Sequence, residues 1–461
     1  MKKSNNYSGL ASKLSNRLLA VVLTALALSW GGAGYGQDFA RMSERTIMGT
    51  ARYVGMSGAM TAIGGDPSAA ADNPAGLGLY RRPEVMISFD NAWDRTWQNP
   101  NQKTRRSQIM VPQASIVLSF GPFSADDTGV QYNNLMISYR RLHSYYRSFR
   151  ATGGPDATLG AIVASTGVDL SIPYTTDLIH AGSELQIDEA GTVNEFDVDW
   201  AINISNMWYV GFGVHMQTHS MVGNGKYYED FDYFNQERLN YYNANITALS
   251  YSGVGANLSA GVIYRPLRWL RVGFSLQTPS LSTLSIYPNQ GIWEARTDSV
   301  RFSYAPNDLV TTTKAFHMPL RLSTSVAFQY EHWGMVGLQY DYSHIFGEKD
   351  LHSLKAGLEV VPVTGLYINA GYCFEGTFTA NNAVVAIDPT FDRQDAYFQR
   401  WRNTQYVSGA IGYRGRHGLV QAAYQYRWQG IDLYAHEAAM PYGINAATHR
   451  LVITIAWHRG W

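Results

Sequence analysis

Along this chain, apolar and polar side chains alternate with a period of two over many short stretches separated by turn-rich connections. Around 194–204, Phe196, Val198, Trp200, Ile202 and Ile204 fall on one face of an extended chain, and Glu195, Asp197, Asp199, Ala201 and Asn203 on the other. Side chains of a strand point alternately to its two faces. A face with three carboxylates cannot meet lipid, so it must be wet while the other meets an apolar phase. The same alternation marks 207–217, 320–331, 366–375 and 420–428. It predicts strands near 84–93, 111–120, 133–149, 194–204, 207–219, 249–265, 269–278, 318–331, 333–346, 351–361, 364–376, 404–414, 417–429 and 447–459. The fold class that follows is all-β, a transmembrane antiparallel β-barrel of about fourteen strands.

The connections sort into two sets. Short ones lie near 205–206, 266–268, 332, 362–363 and 415–416, with a longer member at 121–132; long ones lie at 94–110, 150–193, 220–248, 279–317, 377–403 and 430–446. A short connection at 347–350 is the exception in the long set. Membrane barrels have short periplasmic turns and long external loops, so both termini are expected on the periplasmic side of a cell outer membrane. Trp208, Trp269 and Trp333 then start strands at the periplasmic rim, and Trp93 and Trp428 sit near external ends, as in two interfacial girdles. The last alternating stretch leads to a terminal Trp461, which resembles the signal read by the barrel assembly machinery; Arg459 departs from the apolar face.

Composition agrees. Charged residues are 16%, aromatics are 13%, and 31 Tyr, 12 Trp and 43 Gly suit aromatic belts and curved walls. The N-terminus carries Lys2, Lys3, Lys13 and Arg17 before the apolar run Leu18–Trp30, then Gly34-Tyr35-Gly36. Such a run suits a signal peptide, placed at residues 1–36, and is short for a helical span. Losing those four cations from a balanced chain of 36 Lys+Arg and 36 Asp+Glu leaves a mature charge near −4. That argues against nucleic acid as a partner. The single cysteine, Cys373, excludes an intrachain disulfide and a multi-cysteine metal site, and is expected to face the lumen as an inert side chain.

Residues 37–83 show no strand alternation. They are rich in Ala and Gly with turn signals at Asp66-Pro67 and Asn73-Pro74, which suits short helices packed as a hatch or plug inside a barrel spanning 84–461. Here the sequence resembles the FadL family of outer-membrane transporters for hydrophobic compounds. The residues that carry the resemblance are Gly55-Met56-Ser57-Gly58-Ala59, Asp66 and Ala69, and Asn73-Pro74-Ala75-Gly76-Leu77. Ser57 replaces a glycine frequent in that pattern. The resemblance implies a monomeric barrel plugged by an N-terminal hatch, with a hydrophobic small-molecule ligand such as a long-chain fatty acid. It also implies a third strand kinked into a lateral opening toward membrane lipid. In 133–149 the alternation of Leu135, Ile137 and Tyr139 breaks at Arg140-Arg141, which fits such a kink or a strand leaving the bilayer.

Enzyme chemistry is not expected. No metalloprotease, nucleophile-elbow, phosphate-loop or dinucleotide motif occurs, so no catalytic residue, cofactor or metal is assigned. His215 and His219 share strand parity but lie about 13 Å apart along a strand, too far for one metal. The inward row Glu195, Asp197 and Asp199 is expected to pair with inward Arg271, Arg321, Arg414 and Arg427 as a hydrated lumen wall. The alternative to a transporter is a protein-interaction barrel of an outer-membrane secretion system, like the type IX shuttle that shares this barrel family. Tyr227, Tyr228, Tyr241 and Tyr242 on a long connection would suit either a protein surface or capture of an apolar ligand.

Overall fold

The computed structural model describes residues 43–99, 102–124, 128–153, 178–233, 241–296, 301–304, 312–344, 350–377, 398–434 and 441–458. Fourteen antiparallel wall strands close on themselves. They are β1 Glu84–Trp97, β2 Lys103–Phe120, β3a Val130–Ser144 with β3b Arg147–Gly153, β4 Leu178–Ile204, β5 Trp208–Tyr233 and β6 Tyr241–Leu267. β7a Leu270–Gln277 runs on into β7b Leu281–Arg296, and β8 is built from Arg301–Tyr304, Thr312–Phe316 and Leu320–Tyr330. The rest are β9 Gly334–His344, β10 Leu351–Val363, β11 Leu366–Glu375, β12 Phe398–Arg414, β13 Gly418–Tyr434 and β14 Tyr442–His458. Each alternating stretch of the sequence falls on one of them. Closure is made by β1 against β14, from Glu84↔His458 to Trp97↔Asn445. A closed ladder satisfies the backbone without water and leaves no edge, which is what a strand-built membrane span requires.

The faces also match. Phe196 and Val198 are each 49% exposed on the outer wall, while Glu195, Asp197 and Asp199 are buried inside. Cys373 is buried and lumen-facing. Tight turns at Ser205–Asn206, Glu331 and Gly365 use positive φ values.

The connections at the other rim are shorter than the sequence suggested. The first, expected over 94–110, shrinks to 98–102 because both strands continue. Likewise β4 begins at Leu178 and β5 runs to Tyr233, well into what reads as loop. Beyond the apolar band the outward face turns polar, as at Glu184, Gln186 and Asp188, while the inward face carries Leu185 and Ile187, so the apolar-out signal is lost while the hydrogen-bond ladder goes on.

The chain before β1 folds within the barrel. Thr50 caps helix α1, Ala51–Gly55, by accepting from the Tyr53 N–H. Asp66 caps α2, Pro67–Asp72, by accepting from Ser68 and Ala69, and Pro67 occupies the first turn where its missing N–H costs nothing. Asn73 caps the 3₁₀ turn Pro74–Leu79. Ile47, Met56, Met60, Ile63 and Tyr53 pack in one buried cluster with Cys373 and Tyr406 of the wall.

Candidate functional site

The lumenal segment and the wall are shaped to each other through wall glycines. A Cβ on Gly211 would lie 2.3 Å from the Pro74 carbonyl carbon, and one on Gly261 would lie 1.8 Å from Asn73 Oδ1. Equivalent positions on Gly337 and Gly371 would lie 2.7 Å from the Ala59 oxygen and 2.4 Å from the Met56 carbonyl carbon. No side chain fits at such distances, so these strands present bare backbone wherever the segment passes.

The motif residues of the sequence meet the wall here. Gly55 ends α1 against Ala410 and Asn369, and Met56 covers Gly357 and Gly371. Gly58, with φ +73°, turns the chain beside the Tyr53 ring, and Ala59 is buried beside Gly337. The Asp66 carboxylate accepts from Thr50 Oγ1 at 2.6 Å as well as capping α2. Asn73 Nδ2 donates to the Thr61 carbonyl at 2.8 Å. Pro74 lies over Gly211, Ala75 packs on Tyr209 and Ile263, and Gly76 accepts from the Gly65 N–H while its Cα touches Gly64. These residues are a folding and docking device; none of them presents a reactive group.

Ion pairs bind the segment to the wall. Arg52 forks onto Glu359 through Nε at 2.6 Å and Nη2 at 2.9 Å. Glu44 meets Arg427 at 2.7 Å and Arg147 at 3.4 Å. Arg140, buried on β3a, donates to Asp72 at 2.8 Å and to Glu195 at 2.7 Å. Arg45 lies 3.6 Å from Glu195. Glu195 and Asp197 are therefore paired by Arg140, with Arg45 beside Glu195, and not by Arg271, Arg321, Arg414 and Arg427; Asp199 lies 3.8 Å from His215 Nε2. Arg427 belongs to Glu44, Arg414 lies 3.6 Å from Glu84, and Arg271 donates to Ile63 and Gln329. Strand parity puts a charge in the lumen but leaves the neighbour across the barrel undetermined.

His215 and His219 do not share a site. His215 Nδ1 lies 2.5 Å from Asp197 and its Nε2 lies 2.7 Å from Ser259 Oγ, a hydrogen-bonded chain across β4, β5 and β6. The three groups have the order of a nucleophilic triad. Ser259, however, is buried and lines neither of the cavities named below. The chain acts as a tie between strands. Glu195, Asp197 and His215 offer donors close enough for a metal, yet both carboxylates are already engaged by Arg140.

Farther from the termini, the lumen has two more layers. The first is a polar cavity lined by Arg45, Asp72, Arg140, Arg141, Arg321, Asp341, Lys355 and Glu375. A smaller cavity beside Asp94, Arg147 and Arg427 adjoins the wall. Beyond the charged layer, Phe149, Leu185, Ile187, Trp401, Ile431, Leu433 and Ile444 form an apolar cluster. Phe149 comes from β3b, which keeps its ladder with β4 from Arg147↔Glu189 to Gly153↔Ser183 but has none with β2.

That missing pairing is the main irregularity of the barrel. β2 pairs with β3a only from Phe120↔Asn133 to Gln113↔Arg140, whereas its ladder with β1 continues to Trp97↔Lys103. The next residue of β2 is Pro112, which has no N–H to offer the missing partner. On the other side the β3a–β4 register slips between Arg141 and His143. β3b then runs behind the β1–β2 hairpin, where Thr96 and Thr104 both donate to the Ser148 carbonyl at 2.6 Å. The gap is bridged by side chains: Ser144 donates to Gln108 at 2.7 Å, and Arg106 reaches Asp188 at 2.7 Å. Arg140 and Arg141 thus stand where the ladder ends; Arg141 itself donates to Asn194. Pro112, Arg45, Asp72 and Glu359 are the partners sequence reading passed over. Only Pro112, a proline inside a strand, gave a local signal.

No family model matches the chain, and no curated protein matches it. Solved structures do. A FadL homologue from Pseudomonas aeruginosa superposes with a TM-score of 0.57 at 12% identity, covering 90% of this chain and 99% of that one. The Pseudomonas putida toluene transporter TodX gives 0.54 at 12% identity, covering 90% of this chain and 100% of that one. The monoaromatic hydrocarbon channel CymD gives 0.52 at 12%, covering 90% and 98%. The class defined by this fold is a closed, fourteen-stranded transmembrane barrel. More particularly, its fold is that of a FadL-like barrel.

Proposed function

We propose that this protein is an outer-membrane transporter for hydrophobic small molecules, with residues 43–83 acting as a hatch and the gap beside β3 as a lateral exit. The observation that carries the reading is the end of the β2–β3 ladder at Gln113↔Arg140, level with the charged layer of the lumen. The layers suit such a path. An apolar solute favours the cluster around Phe149 and Ile431 and is disfavoured by the arginine-lined layer beneath it, so release sideways costs less than passage straight through. The structural likenesses include proteins described as toluene transporters and a monoaromatic hydrocarbon channel. A ligand with a carboxylate head, such as a long-chain fatty acid, would place its tail in the apolar layer and its head near Arg45 and Arg321.

The test is native mass spectrometry of the detergent-extracted barrel, with liposome uptake of apolar and polar solutes. A co-purified apolar molecule and selective apolar uptake are expected. Uptake of polar solutes only, with no apolar ligand bound, would overturn the reading.

A further inference from the structure

On the outer wall, at the rim away from the termini, three cations stand together with no acidic partner among the described residues. In the β1–β2 register Arg95 faces Arg105 and Trp97 faces Lys103, four outward positions of the hairpin, and Arg95 also borders the small cavity beside Asp94. Like charges directly opposed across a ladder destabilise it unless an anion lies between them. The adjacent outward positions on β14 are Asn445, Ala447 and His449, and those on β2 are Ser107 and Ile109; none is acidic. Asp94 and Arg106 belong to the other face of the hairpin, where Arg106 is taken by Asp188.

Directly below the cations the wall is apolar. Trp93 is 40% exposed, Ile109 78% and Phe89 44%. The Arg95 guanidinium lies 5.6 Å from the centre of the Trp97 ring, which holds it at the boundary between the two zones. Guanidinium groups bind phosphate through paired N–H donors, and clustered Lys and Arg at a membrane boundary recognise anionic head groups.

We propose that Arg95, Lys103 and Arg105 form a binding site for the phosphate-bearing head group of a membrane lipid, whose acyl chains lie on Trp93 and Ile109. A lipid fits better than a free anion because the apolar half of the site is continuous with the charged half. The proposal rests on the reading that this barrel spans the outer membrane with that rim outward. The lipid is then a phosphorylated glycolipid of the outer leaflet, bound on the β2 strand that borders the lateral gap.

The experiment compares wild type with the R95Q/K103Q/R105Q variant, each confirmed as a folded barrel by heat-modifiable gel migration. Native mass spectrometry would follow binding of an added phosphorylated diglucosamine glycolipid, its dephosphorylated counterpart, and inorganic phosphate as competitor. Wild type is expected to hold the phosphorylated lipid, the variant to lose affinity by about tenfold or more, and R95K/R105K to retain most of it. Equal retention by wild type and variant overturns the site. Displacement of the lipid by millimolar inorganic phosphate overturns the lipid as occupant. If the triple variant fails to fold, K103Q and R105Q singly give the same comparison. Co-purified apolar ligand in the same spectra reports separately on transport, so the two ideas can fail independently.

Discussion

Arg140 Nη1 donates to the Asp72 carboxylate at 2.8 Å, joining the point where β3a parts from β2 to the last residue of α2. Asp72 also accepts from the Tyr53 hydroxyl, so the contact reaches α1 as well. Replacing Arg140 with Gln strands Glu195 and Asp197 in the lumen wall and should destabilise the barrel by about 3–5 kcal/mol. The check is the urea midpoint of folding into vesicles. In a cycle with D72N, the double variant should lose less than the sum of the single losses if the two residues act as one contact.

The glycine-lined path predicts a different defect. Gly371→Ala should push Met56 and its neighbours off the wall and cost roughly 1–3 kcal/mol, while the barrel still closes. Limited proteolysis would show this as cleavage within 43–80 of an otherwise resistant barrel. Resistance equal to wild type would mean the segment adjusts without leaving.

Linking the two sides of the gap should stop lateral release. Gln108 and Ser144 touch through the end of the longer Gln side chain, so Q108C/S144C in a C373S background should be joined by a short bis-methanethiosulfonate crosslinker. Apolar uptake is expected to fall at least about tenfold in the crosslinked form and return on reduction, if the exit barrier rises by about 1.4 kcal/mol or more. Uptake that ignores the crosslink would route the solute elsewhere.

Glu44 gives a pH prediction. Burial pushes its carboxyl up, but His143, Arg147 and Arg427 outweigh that and hold it down at about 2. A depressed folded pKa stabilises above the ordinary carboxylate range, and that contribution is lost as pH falls from about 4.5 toward 2. Pepsin should therefore cut near Glu44 increasingly as pH drops through this window. E44Q carries pepsin's own pH dependence, so the ratio of wild-type to E44Q cleavage should rise across the window.

The strand number, the wet and dry faces and the side carrying tight turns were all legible in the sequence. Each rests on the period of two within a single strand, which a run such as Phe196, Val198 and Trp200 displays on its own. The caps at Asp66 and Asn73 were legible for the same reason, since a side chain bonding to backbone two or three residues on is local chemistry. Only the tertiary structure decided that Arg140 belongs to Asp72 and Glu195, that Gly211 and Gly261 lie beneath Pro74 and Asn73, and that β3b folds behind β1 and β2. Those depend on which residues meet across the closed lumen. Hydrophobic alternation carries no record of that, because it orients a side chain inward without naming what it will meet there.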